Sequence, residues 1–134
     1  MSASWVFTVW GIMPFPLAHP AAVLPFRRWC PRFLSLPALV VGSVCPDAAY
    51  AVPWWDLAAR AHQVIGSMLF CVPLGLLAVW MFDRVRLPLL GVVPVRYREV
   101  FLPLCQRPAG SLAVLVLSLV IGVWTHLAWD AVTH

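Results

Sequence analysis

The chain contains no lysine and a single glutamate, and only 10% of its 134 residues are charged. Soluble domains carry about a quarter charged residues, so this composition cannot build the solvated surface of an ordinary globule. The basic residues are nine arginines, set against four aspartates and the one glutamate for a net charge of +4. No basic run is longer than Arg27-Arg28, and no basic patch alternates with exposed polar residues, which excludes a nucleic-acid-binding surface. The four cysteines, Cys30, Cys45, Cys71 and Cys105, form no C-x-x-C pair, which argues against both a thiolate metal site and a disulfide framework. Cys71 stands in an apolar run and reads as a small hydrophobe. The N-terminus lacks the positive region of a signal peptide, and Pro14, Pro16, Pro20 and Pro25 interrupt its apolar stretch.

What the chain does have is hydrophobic length. Apolar residues make up 63% of it, and the mean hydropathy is +0.90. Residues 61–82 contain no Asp, Glu, Lys or Arg; as a helix they extend for about 33 Å, enough for a hydrocarbon core of about 30 Å. Residues 109–129 make a second such segment of about 31 Å. Pro73 predicts a kink in the first, of a kind that membrane helices tolerate. Residues 33–45 are apolar but too short to span and predict a short membrane-embedded helix; the stretch Val6–Phe15 is equally ambiguous. The expected fold class is all-α, a polytopic integral membrane helix bundle forming a single domain over residues 13–134. Small residues at Gly66, Ser67, Gly110 and Ser111 offer modest helix-packing surfaces, and a homo-oligomer is open as a partner alongside the lipid bilayer.

The segment 83–107 holds Arg84, Arg86, Arg96, Arg98 and Arg107 against Asp83 and Glu99, whereas 46–60 holds Asp47 and Asp56 against Arg60. The positive-inside rule places the first in the cytoplasm and the second outside. Trp54, Trp55, Trp80, Trp124 and Trp129 fall at the expected interfacial belts. Residues Val93–Gln106 alternate arginines with apolar side chains and read as an interfacial segment against anionic lipid. This topology brings Asp47, His62 and His126 to the outer face, while His19 receives no placement from it.

The closing residues, His126-Leu-Ala-Trp-Asp130-Ala-Val-Thr-His134, present three ligand-grade side chains four residues apart. On a helix these share one face, drifting by about 40° per step. Two imidazoles and a carboxylate suit Zn2+, Mn2+ or Fe2+, and ionisable groups at membrane depth point to function. The bland alternative is a polar helix cap at the interface. His62 reads either as a further ligand from the neighbouring helix or as an interfacial histidine bonded to a carbonyl. Asp47 reads as a ligand or an orienting carboxylate, an N-cap, or a turn residue. His19-Pro20 reads as a ligand or as a turn before a helix with Pro at its first position. Asp56 and Arg60 read as an exposed ion pair of little weight.

The sequences MPFPLAHP around His19, GSVCPD around Asp47, HQVIG from His62 and THLAWDAVTH to His134 resemble, in this order, the DUF4184 family of uncharacterised bacterial integral membrane proteins. That family is similar in motif layout to the inner-membrane proteins described as membrane-bound metal-dependent hydrolases (the DUF457 type). The resemblance begins at Met13, so residues 1–12 are expected to be an extension from a misplaced start. Gln63 stands where members usually carry Thr or Ser, and members continue past the final histidine with further helices, so a C-terminally truncated copy is expected. The resemblance implies a divalent metal (Zn, Mn or Fe) held by His19, His62, His126, Asp130 and His134, with Asp47 and Asp130 in catalysis, in a multi-pass protein of the bacterial inner membrane. A transporter or proton-relay subunit, in which the same His and Asp residues pass ions, is the alternative function; a non-catalytic remnant is a third.

Overall fold

The computed structural model describes residues 18–48, 60 and 62–133, and every regular element among them is helical. A single helical turn, α1 (Ala18–Ala22), is followed by a 3-10 turn over Leu24–Trp29 and then by α2 (Leu36–Ala48). The long helix α3 (Val64–Leu90) leads through a short turn to α4 (Val95–Cys105), and α5 (Leu112–Thr133) closes the chain. Helices α3 and α5 are both long and apolar enough to cross a membrane. The segment Val6–Phe15, the pair Trp54–Trp55, Asp56 and His134 lie outside the described residues.

Helix boundaries differ from the composition-based expectation for local reasons. The first long helix does not stop at Phe82 but continues to Leu90, about 40 Å in all. Asp83 and Arg86 pair at 2.6 Å across one turn, and the Arg84 guanidinium covers the Trp80 ring at 4.7 Å, so the charged residues extend the helix instead of ending it. It runs through Pro73 and ends after Pro88. There Arg98 donates from Nε to the Leu90 carbonyl and from Nη2 to the Gly91 carbonyl, both at 3.1 Å, covering acceptors that a helix end leaves open. Helix α5 begins at Leu112, not 109, because Gly110 adopts φ 107°, a left-handed conformation that a glycine accepts without strain. The short helix occupies Leu36–Ala48 rather than 33–45, so Asp47 falls in its last turn.

Helices α2 and α5 lie side by side and parallel, in a fixed register. The Ser35 backbone N–H donates to Ser118 Oγ at 2.8 Å, and His126 Nδ1 meets the Ser43 carbonyl at 2.8 Å, with the same sequence offset in both pairs. Between these two bonds the backbones nearly touch. A Cβ on Gly42 would stand 2.5 Å from the Leu119 carbonyl oxygen, and one on Gly122 would collide with the Leu39 carbonyl oxygen and stand 2.9 Å from Ser43 N. These two glycines make the close crossing of α2 and α5, and of the small residues named from sequence Ser67 is fully buried. Small residues at such a crossing let apolar helices pack by van der Waals contact alone.

Helix α3 runs antiparallel to both and seals the core. Ala38, Val79 and Leu119 form a lower cluster, and Cys45, Cys71 and Val123 an upper one. Cys71 is fully buried, in line with its reading as a small hydrophobe. Val23 anchors the N-terminal segment against Leu34 and Leu39. Outward-facing Ile65, Leu69, Leu77 and Met81 leave a continuous apolar flank exposed on α3. The Ser118 hydroxyl both accepts from Ser35 and donates to the Val114 carbonyl at 2.6 Å. Ser118→Ala is therefore expected to cost about 1–3 kcal/mol, since it strands a buried N–H; a denaturation midpoint that does not move would show that water or relaxation replaces the bond.

Candidate metal centre

Four elements deliver their polar ends to one place. His19 comes from the single-turn α1, Asp47 from the last turn of α2, His62 from just before α3, and His126 and Asp130 from successive turns of α5. The parallel register of α2 and α5 places His126 one turn beyond Gly122 and Asp47 one turn beyond Ser43. The antiparallel α3 returns its N-terminal end to the same level. His19, which topology alone left unplaced, is buried at the centre of the cluster: its ring stacks on that of His126 with centroids 4.0 Å apart, while the His62 ring lies 5.5 Å from His126.

The three Nε2 atoms and the two carboxylates interlock. His126 Nε2 lies 3.1 Å from Asp130 Oδ2 and 3.5 Å from Asp47 Oδ1. His19 Nε2 lies 3.7 Å from Asp47 Oδ2 and 3.9 Å from Asp130 Oδ1, and His62 Nε2 lies 3.7 Å from Asp47 Oδ1 and 4.0 Å from Asp130 Oδ2. All but the shortest of these exceed or sit at the limit of hydrogen bonding. Ligands at about 2.1 Å from a tetrahedral centre stand about 3.4 Å from each other, close to the two distances from His126 and shorter than the four from His19 and His62. Within this set, His19, His126 and Asp130 form one compact triad and Asp47, His62 and His126 another.

Two further observations fit a metal. The His126 Nδ1–H donates to the Ser43 backbone carbonyl, which leaves the Nε2 lone pair directed into the cluster, the arrangement that orients metal-ligating histidines. His19 Nδ1 and Nε2, His126 Nε2 and Asp130 Oδ1 are buried without a hydrogen-bond partner among the described residues; such groups cost stability unless something satisfies them. The side chains of His19 and His126 are fully enclosed, whereas Asp47, His62 and Asp130 each keep about a quarter of their side-chain surface exposed. The cluster thus has a closed side and a partly exposed one.

Burial pushes the His19 imidazole below its usual 6.5, and the adjacent His126 adds to this against the opposing pull of Asp47 and Asp130. Burial would raise the Asp47 carboxyl, but the nearby His62, His126 and His19 together hold it below the usual carboxylate range. His19 is therefore a neutral imidazole and Asp47 an ionised carboxylate at neutral pH, the forms that bind metal. The His19 shift also sets a sign for stability. Because the unfolded chain takes up a proton near 6.5 and the folded one resists it, the metal-free protein is expected to lose stability as pH falls through 6.5 and to level off below the folded value. Thermal unfolding of chelated protein between pH 8 and 5 tests this; a pH dependence weaker in His19→Gln than in the wild type assigns the effect.

Of the residues singled out from sequence, His19, Asp47, His62, His126 and Asp130 are brought together, while His134 lies outside the described residues. The Ser43 carbonyl was not visible as a site component, since a backbone acceptor carries no signature in residue identity; only the G-S-x-x-P-D spacing of Gly42 to Asp47 marked the region. A family model, domain of unknown function DUF4184, matches residues 13–134, and the chain belongs to that family. No curated protein and no solved structure matches it.

Proposed function

We propose that this DUF4184 member is a multi-pass protein of the bacterial inner membrane that holds a divalent metal at its outer face and uses it for hydrolysis. The observation that carries the reading is the convergence of three imidazole Nε2 atoms and two carboxylates at 3.1–4.0 Å, with His126 oriented from behind by a backbone carbonyl. Membrane placement is supported by two helices of spanning length and by the exposed apolar flank of α3. The arginine-rich segment around α4 lies at the end of α3 away from the cluster, which by the positive-inside rule supports an outer position for the cluster.

A divalent ion held there would supply Lewis acidity toward a carbonyl or phosphoryl oxygen and acidify water. His19 and His126 wall off the rear of the site, and the partly exposed edges of Asp47, His62 and Asp130 admit substrate. Two imidazoles with one carboxylate suffice for a single ion, which leaves the second of Asp47 and Asp130 to accept a proton from water. A lipid or envelope component is the substrate that the location favours.

Favouring this reading over a proton relay is the bundle below the cluster. There the buried polar side chains among the described residues are serines, and the hydroxyls of Ser43, Ser67 and Ser118 donate to carbonyls of their own helices. Such hydroxyls continue no chain of titratable groups. The test is metal content by mass spectrometry on detergent-purified protein, followed by a hydrolysis screen on lipid and envelope substrates. About one bound ion or more per chain and activity lost on chelation are expected. Hydrolysis that persists after chelation and in a His126→Ala/Asp130→Ala variant would overturn the proposal.

A further inference from the structure

We infer that the cluster is built for two divalent ions, not one, with Asp47 and Asp130 bridging them. The inference rests on the metal-centre reading above and revises its assignment of a spare carboxylate. Each carboxylate is divided between two poles. Asp47 directs Oδ2 to His19 and Oδ1 to His62 and His126. Asp130 directs Oδ1 to His19 and Oδ2 to His62 and His126. One pole therefore offers His19 Nε2, Asp47 Oδ2 and Asp130 Oδ1. The other offers His62 Nε2, His126 Nε2, Asp47 Oδ1 and Asp130 Oδ2. Each is a donor set sufficient for one ion, and together they engage every carboxylate oxygen.

The rings lead to the same division. The His19 and His126 planes are tilted by only 31° at a centroid separation of 4.0 Å, and both Nε2 atoms face the same two carboxylates. For stacked rings at that separation to meet at a single ion about 2.1 Å from each nitrogen, the planes would have to open to roughly 75°. The ring separation instead resembles the spacing of about 3.5–4 Å between ions in two-metal sites. A single ion at the His62/His126 pole would also leave His19 Nε2 and Asp130 Oδ1 facing each other 3.9 Å apart, both buried and neither hydrogen-bonded among the described residues. With the His19 proton on Nδ1 both are acceptors and neither can satisfy the other, whereas a cation between them satisfies both.

The experiment is to strip full-length protein in detergent with chelator, load it with Mn2+, desalt it, and record metal per chain together with the electron paramagnetic resonance spectrum. About two Mn2+ per chain with a spin-coupled spectrum are expected, falling to about one with the six-line pattern of isolated Mn2+ in His19→Ala. One ion per chain and an uncoupled six-line spectrum in the wild type would overturn the second ion and leave the metal centre standing. No retained Mn2+, and none of Zn2+ in a parallel loading, would overturn both. The wild-type count and spectrum decide the question even if His19→Ala does not fold.

Discussion

Replacing His126 with alanine is expected to reduce divalent-metal affinity by about 100-fold or more. Removing a group that merely orients a ligand costs about 10–100-fold, and His126 is both oriented and a donor. Its Nε2 belongs to both compact triads, so the substitution reduces each to two donors. It also strips the Ser43 carbonyl of its partner and empties a position that is 1% exposed. Chelator competition with Zn2+ on the purified variant measures the effect, and circular dichroism confirms that the helices persist. An affinity within threefold of the wild type would mean that the imidazole packs without ligating. His62→Ala, at the open edge, is expected to lose less than His126→Ala because His62 enters only one triad.

The second large effect lies away from the cluster's own side chains. Gly122→Val is expected to destabilise the bundle by about 3 kcal/mol or more, at the upper end of overpacking costs. The reason is what the new atoms meet. A Cβ at Gly122 would strike the Leu39 carbonyl oxygen and stand 2.9 Å from Ser43 N and 3.0 Å from the Gly42 carbonyl carbon. These are backbone atoms of α2 and cannot rotate aside, so the two helices must separate. Separation also draws Ser43 away from His126 and Asp47 away from Asp130, and metal affinity is expected to fall with stability. Denaturant titration in detergent tests the stability term, with Val132→Ala as a control. Val132 is 86% exposed on the same helix, and its replacement is expected to stay within about 0.5 kcal/mol. If Gly122→Val unfolds at the wild-type midpoint, the close crossing does not set the register.

Much of this protein was legible in residue identity alone. The low charge and two long apolar runs led to an all-helical reading with two helices of spanning length, because hydropathy and helical rise are properties of a segment and need no partner. The four-residue spacing of His126 and Asp130 put them on one helix face for the same reason. The charge asymmetry assigned Asp47, His62 and His126 to one end before any contact was known. Helix ends were less legible: the extension of α3 past Phe82 rests on the Asp83–Arg86 pair and the Arg84–Trp80 contact, and the start of α5 on the backbone of Gly110. Only the tertiary structure decided the rest. The stacking of His19 on His126, the Ser43 carbonyl behind His126 Nδ1, and the division of each carboxylate between two poles depend on the register of α2 against α5. That register is set by where Gly42 and Gly122 allow two backbones to touch, a property of a pair of helices that neither helix carries alone.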